Sequence, residues 1–181
     1  EAVGYDLYCK MLNEAVKHLK GELEEETYTT TIDLNVDAFI PDSYISNEYQ
    51  KLDIYKRIAA IESEEEREDM IEELVDRFGD IPKKVETLLL AASLKALAHS
   101  VYVTAVEQKG ESCTFFMYEK AKVHPERIPG LLSDFAGDLS FKADPPMFVW
   151  QTKNTRNKGQ GQGILEVVKN VSIGIKGLID P

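Results

Sequence analysis

The longest apolar stretch of this chain, Val85 to Ala98, most constrains how it can fold. Four polar residues interrupt the stretch: Glu86, Thr87, Ser93 and Lys95. It is shorter than the ~20 apolar residues that span a bilayer, so we predict a protein that is not embedded in a membrane. Its apolar side chains surround most of a helical circumference, which is typical of a buried helix. With Pro82 in the first turn, we predict a central helix over residues 82–99.

Two capped helices are predicted before this one. Asn47, with Gln50 three residues later, can begin a helix that carries Leu52, Ile54, Tyr55, Ile58, Ala59 and Ile61. Ser63 and Glu66 have the spacing of a capping box for a helix over residues 64–78, which Gly79 ends. The sequence therefore predicts three packed helices in the first half of the fold.

Strand patterns surround the three helices. Residues 28–40 alternate apolar and polar types and are rich in β-branched side chains, which predicts a strand. Residues 101–109 and 112–118 flank Gly110-Glu111 and indicate a β-hairpin. A helix over 125–136 and strands over 139–143 and 147–151 complete the pattern. We predict an α+β fold in which an N-terminal helical half packs with a small antiparallel sheet and C-terminal helices.

The ends of the chain differ from this centre. Residues 3–20 have the spacing of an amphipathic helix and residues 22–26 form an acidic linker, so 1–26 is predicted as a connecting segment. Residues 27–151 are predicted as the α+β domain. Residues 152–181 are predicted as a polar, Gly-rich loop followed by a terminal helix over 164–179. Because the chain begins at Glu1 without a signal pattern, it reads either as a processed chain or as a piece of a longer one, and we favour the second.

Charge and cysteine content narrow the function classes. The 181 residues are 43% hydrophobic and 29% charged, with 32 acidic against 21 basic residues and a net charge of -11. Such an excess repels phosphate backbones and attracts basic proteins, so autonomous nucleic-acid binding is not expected. Cys9 and Cys113 lie far apart, which argues against a disulfide framework and a zinc site and favours the cytoplasm.

No catalytic, cofactor or metal site is predicted. The Gly-rich segment Gly159–Gly163 lacks the lysine of a P-loop and favours a linker. Lys153, Arg156 and Lys158 form a small basic patch, read either as a solvated loop or as a weak phosphate contact. Histidines occur on three unrelated segments, at His18, His99 and His124, and none belongs to a nucleophile or metal motif.

The helix over 64–78 carries the one informative surface. Ile71, Leu74, Val75 and Phe78 share one predicted side. The other side carries Glu66, Asp69, Glu73, Asp76 and Arg77, which we call the acidic ridge. Carboxylates at this spacing repel one another unless a cation lies across them, and Arg77 can pair with Glu73 one turn earlier. The ridge is either a solvated helix face, which is the usual case, or a surface for the arginines of a partner.

Four segments resemble the C-terminal domain of bacterial transcription-repair coupling factors, the Mfd family. They are Gly4–Ala15, Asp33–Ile45, Leu52–Ala59 and Glu73–Pro82, in the order and spacing of that family. The resemblance covers about residues 4–100, and residues 101–181 match only in general pattern.

The resemblance implies a fragment that is not itself an enzyme, within an ATP- and Mg-dependent DNA translocase. That protein removes stalled RNA polymerase at lesions and recruits the excision-repair protein UvrA. In the family, this domain packs on the UvrB-like N-terminal module of the same chain and masks its UvrA-binding surface. The family's interface residues fall on Glu73 and Asp76, with Arg77 a further member, while Phe78 and Gly79 are structural.

The sequence leaves two alternatives open. The domain could instead contact DNA or RNA polymerase through Lys153, Arg156 and Lys158 and so tune the motor. A DNA titration at low salt separates this alternative from the regulatory interpretation, because only the contact would give salt-sensitive binding. A hidden hydrolase would need an organised group of histidines and carboxylates, which the spacing does not indicate.

Overall fold

The structure, a computed structural model, describes residues 28–151 and 162–181. These residues form two compact units, one of residues 36–96 and one of residues 28–35, 97–151 and 162–181. The predicted helix over 3–20, the linker over 22–26 and most of the Gly-rich segment lie outside the described residues.

Three helices build the first unit: α1 (Glu48–Ala59), α2 (Glu64–Phe78) and the first part of α3 (Lys83–Ser100). The Asn47 side chain accepts a hydrogen bond from the Gln50 amide at 3.0 Å, which caps α1. The carbonyl of Pro82 accepts from the amides of Val85 and Glu86, both at 3.0 Å, at the start of α3. The three predicted helices are confirmed, with α3 beginning one residue later than predicted.

The core of this unit is a single cluster of aliphatic side chains. In α1 and α2 the buried residues lie one turn apart on one face of the helix. In α3 the buried residues surround more of the helix, since Thr87, Ala91 and Leu94 are buried as well. The cluster contains Ala38, Ile40, Ile45, Ile54, Ile58, Ile61, Met70, Leu74, Val85, Leu88, Leu89 and Ala92. Burying each large apolar side chain stabilises the fold by about 1.5–3 kcal/mol. The cluster therefore holds α1, α2 and α3 together.

The second unit contains a five-stranded sheet with the order β1-β2-β3-β5-β4. Its strands are β1 (Thr31–Asp33), β2 (Val103–Lys109), β3 (Ser112–Met117), β4 (Leu139–Ala143) and β5 (Pro146–Gln151). The predicted hairpin is confirmed as the antiparallel pair β2 and β3, and β3, β5 and β4 are also antiparallel neighbours. The α+β class is confirmed, but β1 runs parallel to β2, so the sheet is mixed where we predicted an antiparallel one.

The strand predicted over residues 28–40 is wrong outside Thr31–Asp33. Beyond β1, side chains replace strand neighbours as hydrogen-bond partners: Asn35 N–H donates to Gln108 Oε1 at 2.9 Å, and Ile40 N–H donates to the Tyr55 hydroxyl at 2.8 Å. Ala38 and Ile40 are buried in the helical core. The alternation beyond β1 therefore reflects a segment whose apolar side chains pack on helices, not a paired strand.

Two helices accompany the sheet. A 3₁₀ turn (Pro125–Arg127) leads into α4 (Ile128–Asp134). The α-helix is therefore shorter than the one predicted over 125–136, and its first residues are 3₁₀-helical. The terminal helix α5 (Gln162–Ile179) confirms the helix predicted over 164–179. Arg127 Nη1 donates to the carbonyls of Gly177, at 3.1 Å, and Asp180, at 2.7 Å. A cation at the carbonyl end of α5 also complements the helix dipole.

Within residues 28–151 and 162–181, none of the helices combines the length and apolar character needed to cross a bilayer.

Candidate functional site

The ends of α2 are fixed by local chemistry. Ser63 Oγ accepts from the Glu66 amide at 3.2 Å, which confirms the predicted cap. The Glu66 carboxylate accepts from the Glu62 amide at 2.7 Å, one residue before the Ser63 amide that a capping box would use. At the other end, the Gly79 amide donates to the Val75 carbonyl at 3.0 Å. Gly79 has a φ of 86°, which favours glycine. These contacts fix where α2 begins and ends.

The apolar side of α2 differs from the prediction at one position. Met70 and Leu74 are buried, with Ile71 and Phe78 packed beside them. Val75 was predicted on this side but is 44% exposed. Met70 lies one turn before Leu74 and fills the centre of the buried stripe, so Val75 falls at its edge.

The acidic ridge lies along the remainder of α2. Four of its members are exposed: Glu66, Asp69, Asp76 and Arg77. Glu73 is only partly exposed. The structure thus brings the five predicted residues onto one helix, where Glu66 also serves the cap.

Glu73 is held between two arginines. Arg57 on α1 donates through Nη2 to Oε1 at 2.6 Å and through Nη1 to Oε2, and Arg77 Nη1 donates to Oε2 at 2.9 Å. The hydrogen bonds from Arg57, and then the one from Arg77, lower the pKa of Glu73 from 4.5 to about 2. The predicted pairing of Arg77 with Glu73 is confirmed, and Arg77 also lies 4.9 Å from the Phe78 ring centroid.

Sequence reasoning missed Arg57. It lies in the last turn of α1, within the segment Leu52–Ala59 that carries part of the family resemblance. An arginine next to an apolar helical stripe was the only available signal, because 16 residues separate it from Glu73. The pairing depends on how α1 and α2 pack, which the spacing along the chain does not reveal.

Asp69 and Asp76 differ from Glu73 in their surroundings. Both are exposed, and neither forms an ion pair within residues 28–151 and 162–181. Residues 36–96 contain 15 acidic and 8 basic side chains, a formal net charge of -7. Two uncompensated carboxylates therefore project from the more acidic unit, which favours contact with cations.

Two of the three histidines, His99 and His124, contact polar side chains within the fold. His99 Nδ1 lies 2.9 Å from Thr30 Oγ1, and His124 Nδ1 lies 3.3 Å from Glu126 Oε1. Because the Thr30 hydroxyl donates to the Val103 carbonyl at 2.6 Å, its oxygen accepts from Nδ1–H of His99. In the described part of the chain, no three His, Cys, Asp or Glu residues are grouped to hold a metal ion. His18, Lys153, Arg156 and Lys158 lie outside the described residues.

Fold and site define an α+β domain that presents a charged helix face. A family model described as the TRCF domain matches residues 34–128, and the chain belongs to that family. The chain is similar to a crystal structure of the C-terminal domain of transcription-repair coupling factor, with a TM-score of 0.67 and 26% identity. That similarity covers 84% of this chain and 94% of the solved one.

Curated relatives agree with this family. The transcription-repair-coupling factor of Bacillus subtilis (strain 168) is 38% identical over 122 residues, which is 67% of this chain and 10% of the relative. The protein of the same name from Staphylococcus haemolyticus is 41% identical over 123 residues, again 67% of this chain and 10% of the relative. In Staphylococcus epidermidis the identity is 35% over 149 residues, 81% of this chain and 12% of the relative. The chain therefore spans about a tenth of the length of these relatives.

Proposed function

We propose that this chain is the regulatory, autoinhibitory domain of a transcription-repair coupling factor. The whole protein is an ATP-driven DNA translocase that acts on stalled RNA polymerase. This domain packs on its UvrB-like N-terminal module and masks the surface that binds UvrA. The contact is made by the acidic ridge of α2, which meets basic side chains of that module.

The observation that carries the proposal is the pair Asp69 and Asp76. Both carboxylates project from a helix that is capped at both ends and anchored through Leu74, so their positions are set before a partner binds. Neither carboxylate is ion-paired in the described part of the chain. A cationic side chain of the partner therefore does not have to displace an internal cation. Preorganised charges of this kind bind with less loss of conformational entropy.

The contact is expected to be strong enough to close and weak enough to open. Charge-assisted hydrogen bonds contribute about 1.5–3 kcal/mol each when shielded and much less when exposed. Several of them favour a closed arrangement without making it permanent. Binding of RNA polymerase and DNA then shifts the population toward the open arrangement. The size of the shift depends on how much their affinities for the open and closed arrangements differ.

Calorimetry between this chain and a separately produced UvrB-like module tests the proposal. We expect salt-dependent binding that Asp76→Lys abolishes. Asp134→Lys is the matched control, because it makes the same charge change at an exposed residue of α4 in the other unit. Equal loss of binding in both variants would show only a general charge effect.

Other outcomes would contradict the proposal directly. Absence of binding to the UvrB-like module would do so, and so would binding that Asp76→Lys leaves unchanged. A parallel titration with double-stranded DNA at low salt should give negligible binding. Salt-sensitive DNA binding that is lost when Lys153, Arg156 and Lys158 are neutralised would favour the nucleic-acid contact instead.

A further inference from the structure

Glu73 and Asp76 lie on the same ridge but differ in what they can offer a partner. An ionised carboxylate has about four lone-pair positions for hydrogen bonds. At Glu73, Arg57 occupies one on each oxygen and Arg77 a second one on Oε2. A guanidinium from another protein could then reach only Oε1, and it would approach two arginines that surround a single carboxylate.

We propose that Arg57 is an internal competitor for Glu73 and thereby weakens the closed arrangement. The inference rests on the proposed function, namely that the acidic ridge closes on basic side chains of the UvrB-like module. An incoming arginine gains two-point contact with Glu73 only when Arg57 withdraws. Arg57 therefore sets how easily the domain is released.

Arg57 fits the competing role better than Arg77. Arg77 makes one hydrogen bond to Glu73, lies on the same helix one turn away, and stacks near Phe78, so it leaves Oε1 accessible. Arg57 reaches across from α1 and engages both oxygens. Its side chain is 41% exposed, so water can solvate the guanidinium once it withdraws. An exchange between two exposed arginines changes affinity by a few-fold, not by orders of magnitude.

The test measures binding to the UvrB-like module for the reference chain and for Arg57→Gln, Arg57→Lys and Lys56→Gln. Arg57→Gln is expected to bind about threefold tighter. Arg57→Lys keeps the charge but loses the two-point geometry, so it should bind about twofold tighter. Lys56→Gln removes the same charge from an exposed neighbour that does not form an ion pair with Glu73 in the described part of the chain, and it should change binding less than Arg57→Lys does.

A second background separates competition from general electrostatics. In a Glu73→Gln chain there is no carboxylate to release, so Arg57→Gln should no longer tighten binding beyond the effect of Lys56→Gln. Circular dichroism and thermal unfolding identify variants that lose the fold. If Arg57→Gln proves to be unfolded, the binding of Arg57→Lys decides whether Arg57 is a competitor.

The outcomes distinguish the inference from the proposed function. Binding that Asp76→Lys abolishes, but that Arg57→Gln and Arg57→Lys weaken or leave unchanged, overturns the competitor role and leaves the regulatory surface in place. Weaker binding of both Arg57 variants would make Arg57 a direct contact of the partner. Absence of binding by the reference chain contradicts both proposals.

Discussion

At the scale of single residues, the role of Glu73 depends on the side chains around it. In the sequence it is one acidic residue among many on α2. In the fold it is the only ridge carboxylate bracketed by Arg57 and Arg77 within the described residues. It is thus a link between α1 and α2 as well as a member of the ridge.

This link should make stability depend on pH. Because the pKa of Glu73 is lowered from 4.5 to about 2, the ionised carboxylate stabilises the fold above about pH 4.5, and this contribution is lost as pH falls toward 2. The side chain is one-third exposed, so solvent screening limits the contribution to about 1 kcal/mol. Urea unfolding should show Glu73→Gln less stable by about that amount at neutral pH, with the difference vanishing near pH 2.

Asp76→Asn is the control for this measurement, since Asp76 lies on the same helix without an ion pair in the described part of the chain. Its free energy of unfolding should stay within about 0.5 kcal/mol of the reference. A Glu73→Gln deficit that persists unchanged to pH 2 would show that the carboxylate charge is not its cause.

Cys113 gives a second prediction at this scale. The side chain is fully buried in β3, and burial raises the pKa of its thiol to about 12. Thiolate is the reactive form, so a chain carrying Cys9→Ser should resist a disulfide reagent at about pH 8 while folded. One thiol per chain should react in denaturing urea. Rapid reaction of the folded chain would contradict the burial of Cys113.

At the scale of elements, two of the glycines of α5, Gly174 and Gly177, lie in different surroundings. A Cβ built on Gly174 would overlap the Leu131 side chain, while one built on Gly177 would contact nothing. Alanine is favoured over glycine within a helix by about 0.8–1 kcal/mol. The overlap of an alanine Cβ at position 174 with Leu131 should cost about 1–3 kcal/mol, because Leu131 is buried and has to shift.

The two substitutions therefore form a matched pair. Gly177→Ala should raise the free energy of unfolding by about 0.5–1 kcal/mol. Gly174→Ala should be less stable than Gly177→Ala by about 1–2 kcal/mol. Thermal or urea unfolding measures both values, and equal stabilities would mean that α5 does not pack closely on α4 at this position.

Helices were predicted well because their signals are local. The Asn47 and Ser63 caps and the Gly79 stop all act within a few residues, and each forms as expected. The segment over 28–40 was predicted poorly because alternation alone does not identify what a chain packs against. Its partners, Gln108 and Tyr55, come from distant parts of the sequence. The parallel pairing of β1 with β2 is a long-range property of the same kind.

The candidate site divides in the same way. The acidic ridge follows from helical spacing, and the pairing of Arg77 with Glu73 follows from their separation of one turn. Arg57 could not be assigned from spacing, because its contact depends on the packing of α1 against α2. Val75 was placed on the wrong side because Met70, not Val75, completes the buried stripe.

At the scale of the whole molecule, negative charge is unevenly distributed. Residues 36–96 have a formal net charge of -7, against -11 for the whole chain. This unit also carries the acidic ridge, so its field should speed encounter with a basic surface. The same field should make that encounter sensitive to salt.

The proposed masking of a UvrA-binding surface by this domain is tested most directly by a competition experiment. UvrA is titrated into the UvrB-like module, with and without a saturating amount of this chain. We expect the reference chain to lower the apparent affinity of UvrA and the folded double variant Asp69→Lys/Asp76→Lys to leave it unchanged. Simultaneous binding of UvrA and the reference chain to the module, without mutual weakening, would contradict the proposed masking.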